Sequence, residues 1–383
     1  MNRRLAGALA VGPLLLTTCG PAAAATTRTT ADHHPAPASR ALAAYAAMTP
    51  RQRIGQLFMV GVPAAEQKAA TLRALRSLHV GNVILDSNSH RSVHHVAAIT
   101  SSLAAALTEA HVKPFISTDQ EGGEVQRLTG SGFSAMPSAL RQGRLLRHAL
   151  RLRATTWGRQ LAAAGVNLNL APVADTVPSP HAALNQPIGR YHREYGHTPG
   201  VVAHHVVAVV RGETAAGIAV AVKHFPGLGR ATGNTDLSRR VTDPTTRHDP
   251  YLQPFQAAVD AGAQFVMVSL ATYPHIDAGR AACFSPTVMT TMLRHALGFR
   301  GVIISDSFNA RAIARVPPAQ QAVNFFRAGG TMLLDTDPTP LRRMERAVAA
   351  RAAAKPHFAS IVKSAVLLVL TAKAKANLLP STG

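Results

Sequence analysis

One pattern repeats eight times along this chain: a short run of apolar, largely β-branched residues, then a longer stretch with helical spacing. The runs are Gly55–Val62, Gly81–Asp86, Pro114–Asp119, Asn167–Asp175, Ile218–Phe225, Ala263–Leu270, Gly301–Asp306 and Thr331–Asp335. Helix-like segments at 92–110, 138–164, 199–216, 286–297 and 319–328 lie between them. Strands that are apolar throughout, separated by helices, imply a parallel sheet covered on both faces. Eight such units predict an α/β fold, a closed (β/α)8 TIM barrel; an open doubly wound sheet is the alternative. The 383 residues fit one barrel of about 250 residues plus extensions, and no second domain is visible. Residues 341–379 read as closing helices, with Pro356 dividing two of them.

The N-terminal residues read differently. Arg3 and Arg4 precede an apolar stretch, Leu5–Leu16, too short to span a bilayer, which is the pattern of an export signal over 1–25. Two processing sites are open. Leu16-Thr17-Thr18-Cys19 resembles a lipobox, which would lipidate Cys19 and attach the protein to a membrane. The alanines at 22–25 suit an ordinary signal peptidase. Residues 26–46, rich in Ala, Thr, Pro and His, are expected to be a flexible tether, with the barrel domain over 47–379. The expected location is the cell envelope, lipid-anchored or secreted. Only Cys19 and Cys283 exist, so the core and not a disulfide must hold the domain. The formal charge of +21 reads either as a solvated basic face or as attraction to anionic neighbours. No zinc-finger spacing, aromatic–basic interleaving, GxGxxG or P-loop is present, so neither nucleic acid nor a nucleotide cofactor is implied. The His pairs at 33–34, 94–95 and 204–205 lack further ligands at useful spacing, and no metal is expected.

Polar residues gather where several runs end: Asp119-Gln120-Glu121, Asp175, Lys223-His224 and Asp306-Ser307. In a parallel barrel all C-terminal strand ends share one face, and that face carries the active site. Five segments resemble the single-domain β-N-acetylhexosaminidases of glycoside hydrolase family 3: "IGQLFMVGV" (54–62), "TDQEGGEVQRL" (118–128), "GVNLNLAPVAD" (165–175), "KHFPGLG" (223–229) and "SPTVMTTMLRHALGFRGVIISDS" (285–307). The resemblance runs from about Met48 to about Leu370. It implies a retaining glycosidase acting on terminal β-linked N-acetylglucosamine of peptidoglycan-derived or related glycans, with no cofactor, as a monomer.

The resemblance also assigns roles. Asp306 is placed as the nucleophile that forms a glycosyl ester. Lys223, His224 and Asp119 are placed to hold sugar hydroxyls. Arg193, in "REYGHTP", is placed to contact substrate, with Arg190 as rival. Glu121 is expected to be structural, bonded to backbone or to Arg127, and Asp175 to serve a hydrogen-bond network. Gly122 and Gly123 are expected to permit a tight turn.

One departure matters. The family's acid/base is a histidine in an Asp-Ser-His segment on the loop after the fifth strand. Here that loop reads Gly233-Asn234-Thr235-Asp236-Leu237-Ser238, with Ser238 at the histidine position. Leu228 and Leu270 also stand where relatives carry histidines. Three readings follow: Asp236 is itself the acid/base with a raised pKa; His192 or His197 substitutes; or no competent acid exists and the protein is a slow enzyme or a sugar-binding protein. A phosphorylase and a β-glucosidase of the same family are further alternatives.

Overall fold

The computed structural model describes residues 35–381 together with Gly12. The export signal read at 1–25, including Cys19, therefore falls outside the described residues apart from Gly12, as do residues 26–34.

Eight parallel strands form the core: β1 (Phe58–Val62), β2 (Asn82–Leu85), β3 (Phe115–Thr118), β4 (Leu168–Asn169), β5 (Ala219–Phe225), β6 (Phe265–Val268), β7 (Val302–Ser305) and β8 (Leu333–Asp335). Each strand pairs with its sequence neighbour, and β1 also pairs with β8. The bridge from Ile304 to Met332 joins β7 to β8, so the sheet closes and the open-sheet alternative fails. All eight strands are shorter than their apolar runs. The run at 167–175 narrows most, to the two residues of β4 plus a bridge from Val173 to Lys223. Within the barrel the Phe115 and Phe265 rings meet edge to face at 5.1 Å, the favoured aromatic geometry.

Long helices cover the outside: α1 (Pro37–Ala47), α2 (Pro50–Gly55), α3 (Ala69–Ser77), α4 (Val93–Leu107), α5 (Arg147–Ala163), α6 (Pro199–Ala215), α7 (Gln253–Asp260), α8 (Pro318–Arg327), α9 (Leu341–Ala354) and α10 (Pro356–Lys375). Before β7 the chain winds a wider, i→i+5 bonded helix over Thr287–Ala296. The expected closing helices are α9 and α10, with Pro356 starting the second, where its missing N–H costs nothing.

The tether expectation is corrected at its C-terminal end. Pro37–Ala47 is a helix, with Ala41 and Ala44 buried and packed toward α10. The Arg40 guanidinium donates to the carbonyls of Leu379 and Pro380, tying this helix to the end of the barrel. Its buried stripe is made of alanines, which a hydrophobicity pattern registers weakly.

A buried polar chain connects the outer layer to the strand ends. The Glu213 carboxyl on α6 accepts from Asn169 Nδ2 at 3.0 and 3.1 Å. Asn169 in turn bonds both the N–H and the C=O of Gln120, which lies between Asp119 and Glu121. Burial pushes the Glu213 pKa up to about 8, so the group is mostly neutral at pH 7. A raised carboxyl pKa stabilises the fold fully below the ordinary value of 4.5, and that contribution is lost as pH climbs to about 8. Glu213→Gln, which keeps an acceptor for Asn169 and removes the titration, should raise the thermal midpoint more at pH 8 than at pH 5. Parallel melts at the two pH values check this; an equal change at both contradicts it.

Candidate active site

The strand ends open into a cavity of about 390 Å³. Asp119, Arg193, Lys223, His224, Asp236 and Asp306 all line it. Six residues spread over almost two hundred positions thus converge, as the common direction of the strands requires.

Four of the cavity's charged groups form one ionic network. Lys223, near the end of β5, places Nζ 2.6 Å from Asp119 Oδ1 and 2.7 Å from Glu121 Oε1. Arg193 grips Glu121 with both arms, Nε to Oε2 at 2.8 Å and Nη2 to Oε1 at 2.7 Å. Its third nitrogen, Nη1, donates to the Pro187 carbonyl at 2.8 Å. This bidentate fork is the geometry guanidinium offers a carboxylate and ammonium does not. Burial would raise the Glu121 pKa, but the charges of Arg193 and Lys223 overcome it and hold the group far below the carboxylate range. Burial would likewise lower Lys223, yet Asp119 and Glu121 leave it raised. Glu121, Arg193 and Lys223 are therefore ionised at neutral pH.

The expectation for Glu121 is corrected here: its partners are Arg193 and Lys223, not Arg127. Arg127 instead lines the cavity and donates Nη1 to Asn88 Oδ1 at 3.0 Å. Sequence reasoning missed it as a site residue. Gly122 and Gly123 take φ of +98° and +60°, so the tight turn after Glu121 is built from left-handed backbone.

His224 is held by Asp175, which is fully buried and accepts from His224 Nδ1 at 2.7 Å. With Nδ1 donating, Nε2 of a neutral ring is an acceptor on the cavity side. The same carboxylate accepts from the backbone N–H of Leu228 at 2.7 Å. Asp175 is thus the hub of a network that fixes both the His224 ring and the start of the loop after β5. Asn185 holds that loop from the other side: its Nδ2 donates to the carbonyls of Leu228 and Ala231, both at 2.7 Å.

Asp306 follows β7, its N–H bonded to Val268 O at 3.1 Å and its Oδ1 accepting from Ser307 N at 2.8 Å. Asp236 sits on the loop after β5. Its outer surface is exposed, while its carboxyl borders the cavity. Burial first, and the charge of Asp306 second, lift the Asp236 pKa to about 6. His224 and Arg193 pull the other way without cancelling the rise.

The other candidates lie elsewhere. Ser238 does not line the cavity. His192, His197 and Arg190 line a separate pocket, apart from the cavity that Asp306 and Asp236 border. Leu228 does border the cavity, as an apolar wall, and Leu270 is buried. Among the described residues no three His, Cys, Asp or Glu side chains are grouped to hold a metal ion.

Comparison with known proteins agrees with this geometry. Residues 49–366 match the glycosyl hydrolase family 3 N-terminal domain. A β-hexosaminidase of Xylella fastidiosa strain 9a5c is 33% identical over 306 residues, covering 77% of this chain and 88% of the relative. The crystal structure of a β-N-acetylhexosaminidase from Beutenbergia cavernae superposes with a TM-score of 0.83 at 46% identity, covering 85% of this chain and 98% of that one. A family 3 β-N-acetylglucosaminidase from Paenibacillus gives 0.78 at 27% identity, covering 86% of this chain and 63% of the other.

Removing one member of the buried network leaves its partners uncompensated. Glu121→Gln should cost about 3 kcal/mol of stability, the scale for breaking a buried ion pair. Denaturant unfolding of the variant measures it, and a change near zero would show that Asp119 alone satisfies the two cations.

Proposed function

Because the chain belongs to glycosyl hydrolase family 3, we propose that it is a retaining glycosidase removing terminal β-linked N-acetylglucosamine, with Asp306 as nucleophile and Asp236 as acid/base. The observation that carries this reading is the pair of carboxyls in one cavity, one of them with its pKa lifted to about 6. Retaining glycosidases need two carboxyls in different protonation states.

The steps balance as follows. The Asp306 carboxylate attacks the anomeric carbon while the bond to the leaving oxygen breaks. Asp236 gives that oxygen its proton. Water then attacks the glycosyl ester, gives a proton to Asp236, and frees both the sugar and the Asp306 carboxylate. Asp119, Lys223, His224, Arg193 and Arg127 border the space the pyranose would fill, and offer ionised or tautomer-fixed partners for its hydroxyls.

The natural substrate class in this reading is peptidoglycan-derived or related glycan. The basic balance of the chain favours anionic surroundings. The reading includes an exported, monomeric protein of the cell envelope, supported by the Arg3-Arg4 and Leu5–Leu16 pattern, with lipidation at Cys19 or cleavage after the alanines at 22–25.

A fluorinated N-acetylglucosaminide should leave a covalent adduct that mass spectrometry of peptides maps to Asp306. An active protein with no adduct there would sink the assignment. If inorganic phosphate multiplies turnover and the product is the sugar phosphate, the enzyme is a phosphorylase instead.

The acid role predicts a pH dependence. The acid must be protonated when the leaving group departs, so kcat/KM on a disaccharide should fall as pH rises through about 6, the Asp236 value. In Asp236→Asn that basic limb should vanish, with activity reduced about 100-fold or more. A nitrophenyl glycoside, whose leaving group needs no proton, should lose far less. Equal losses on both substrates would remove Asp236 from the role.

A further inference from the structure

A second cavity, of about 550 Å³, lies outside the catalytic one and has no part in the chemistry above. Arg280, Arg315 and Arg327 line it, beside the apolar Phe284, Ile313 and Val316. Among the described residues no carboxylate stands within ion-pair distance of Arg315 or Arg327. Arg280 has only an exposed, 3.3 Å contact with Asp277. Three exposed guanidinium groups lining one hollow, two of them without a carboxylate partner among the described residues, offer an anion charge-assisted hydrogen bonds.

The cavity is separated from the catalytic one by a single stretch of chain. Ala310 borders the catalytic cavity and Ala312 borders the second. Between and beside them, Arg311 N donates to Asp236 O at 3.4 Å and Ala312 N to Thr235 O at 3.0 Å. The backbone that positions Asp236 is therefore hydrogen-bonded to the wall of the arginine-lined cavity.

We propose that this second cavity binds a carboxylate carried on a small apolar group, with Arg315 and Arg327 holding the carboxylate and Phe284, Ile313 and Val316 receiving the apolar part. The carboxylate belongs either to the leaving portion of the glycan or to a separate small acid. Its place on the leaving-group side rests on the glycosidase reading, since Asp236 is the residue that meets the leaving oxygen there. The binding itself does not depend on that reading.

The test uses the full chain and two probes, N-acetyl-alanyl-alanine and its C-terminal amide, in isothermal titration calorimetry. The acid should bind, and the amide should bind at least about tenfold more weakly, the scale of one charge-assisted hydrogen bond. Arg315→Gln and Arg327→Gln, both exposed positions, should each weaken the acid by a similar factor. Equal binding of acid and amide, no binding of either, or unchanged binding in both variants overturns the proposal.

Kinetics then separate the two sources. If the carboxylate is part of the substrate, KM for a glycoside with a carboxylate-bearing aglycone rises about tenfold in the variants, and a neutral nitrophenyl glycoside is unaffected. If it is a separate acid, adding the acid probe changes turnover of the neutral glycoside in the wild type and not in the variants. Turnover of the neutral glycoside with neither effect overturns this inference and leaves the glycosidase reading standing.

Discussion

The site depends on one buried ionic arrangement: Lys223 between Asp119 and Glu121, with Arg193 clasped to Glu121. Two carboxylates and two cations, with Glu121 and Lys223 almost fully buried, would each be costly alone. Together they satisfy one another and fix three separate pieces of chain: the end of β3, the end of β5 and the loop after β4. The network adds specificity of position more than stability, because a buried ion pair often does no better than a well-packed apolar replacement. It also leaves Asp119 and Arg193 bordering the cavity with their positions fixed before any substrate arrives.

The barrel and most of the site were legible in the sequence for one reason. Every strand is buried on both faces, so each announces itself as an apolar run, and the parallel topology then dictates that all the strand ends meet. Asp119, Lys223, His224 and Asp306 could be found because each sits directly at such an end. Arg193 lies on a long loop and was found through resemblance. What stayed hidden were pairings. Glu121 was visible as a carboxyl in a turn, but nothing local says that its cations come 72 and 102 positions later. Arg127, six residues after Glu121, gave no signal of facing the cavity. The helix Pro37–Ala47 was hidden for a different reason: its contact stripe is alanine, which buries little area and leaves almost no hydropathic trace.

The loop after β5 shows how a site works without the expected histidine. The position at 228 contributes its backbone. Its N–H binds Asp175 and its C=O accepts from Asn185, while the leucine side chain is buried against the cavity. Gly229 passes so close to the Thr176 carbonyl that no side chain fits there. Farther along, Asn234 Oδ1 accepts from Asp236 N at 2.8 Å, and the carbonyls of Thr235 and Asp236 accept from the segment beyond Asp306. The loop is held by its main chain and by Asn185, so a change of side chain at 228 or 238 need not disturb where Asp236 stands.

That rigidity bears on how the two carboxyls would divide their labour in the proposed mechanism. Both line one cavity, and the charge of Asp306 raises the cost of ionising Asp236. The asymmetry comes from surroundings. Asp306 accepts a backbone N–H from Ser307 on its Oδ1. Among the described residues Asp236 is bonded only through its main chain, its N–H donating to Asn234 Oδ1 and its C=O accepting from Arg311 N, and its carboxyl accepts no hydrogen bond. Burial and the neighbouring charge then act on a carboxyl with no compensating donor, and its pKa rises to about 6. A histidine would supply a near-neutral pKa from its own chemistry; here the same value arises because a carboxyl is left without donors beside one that has them.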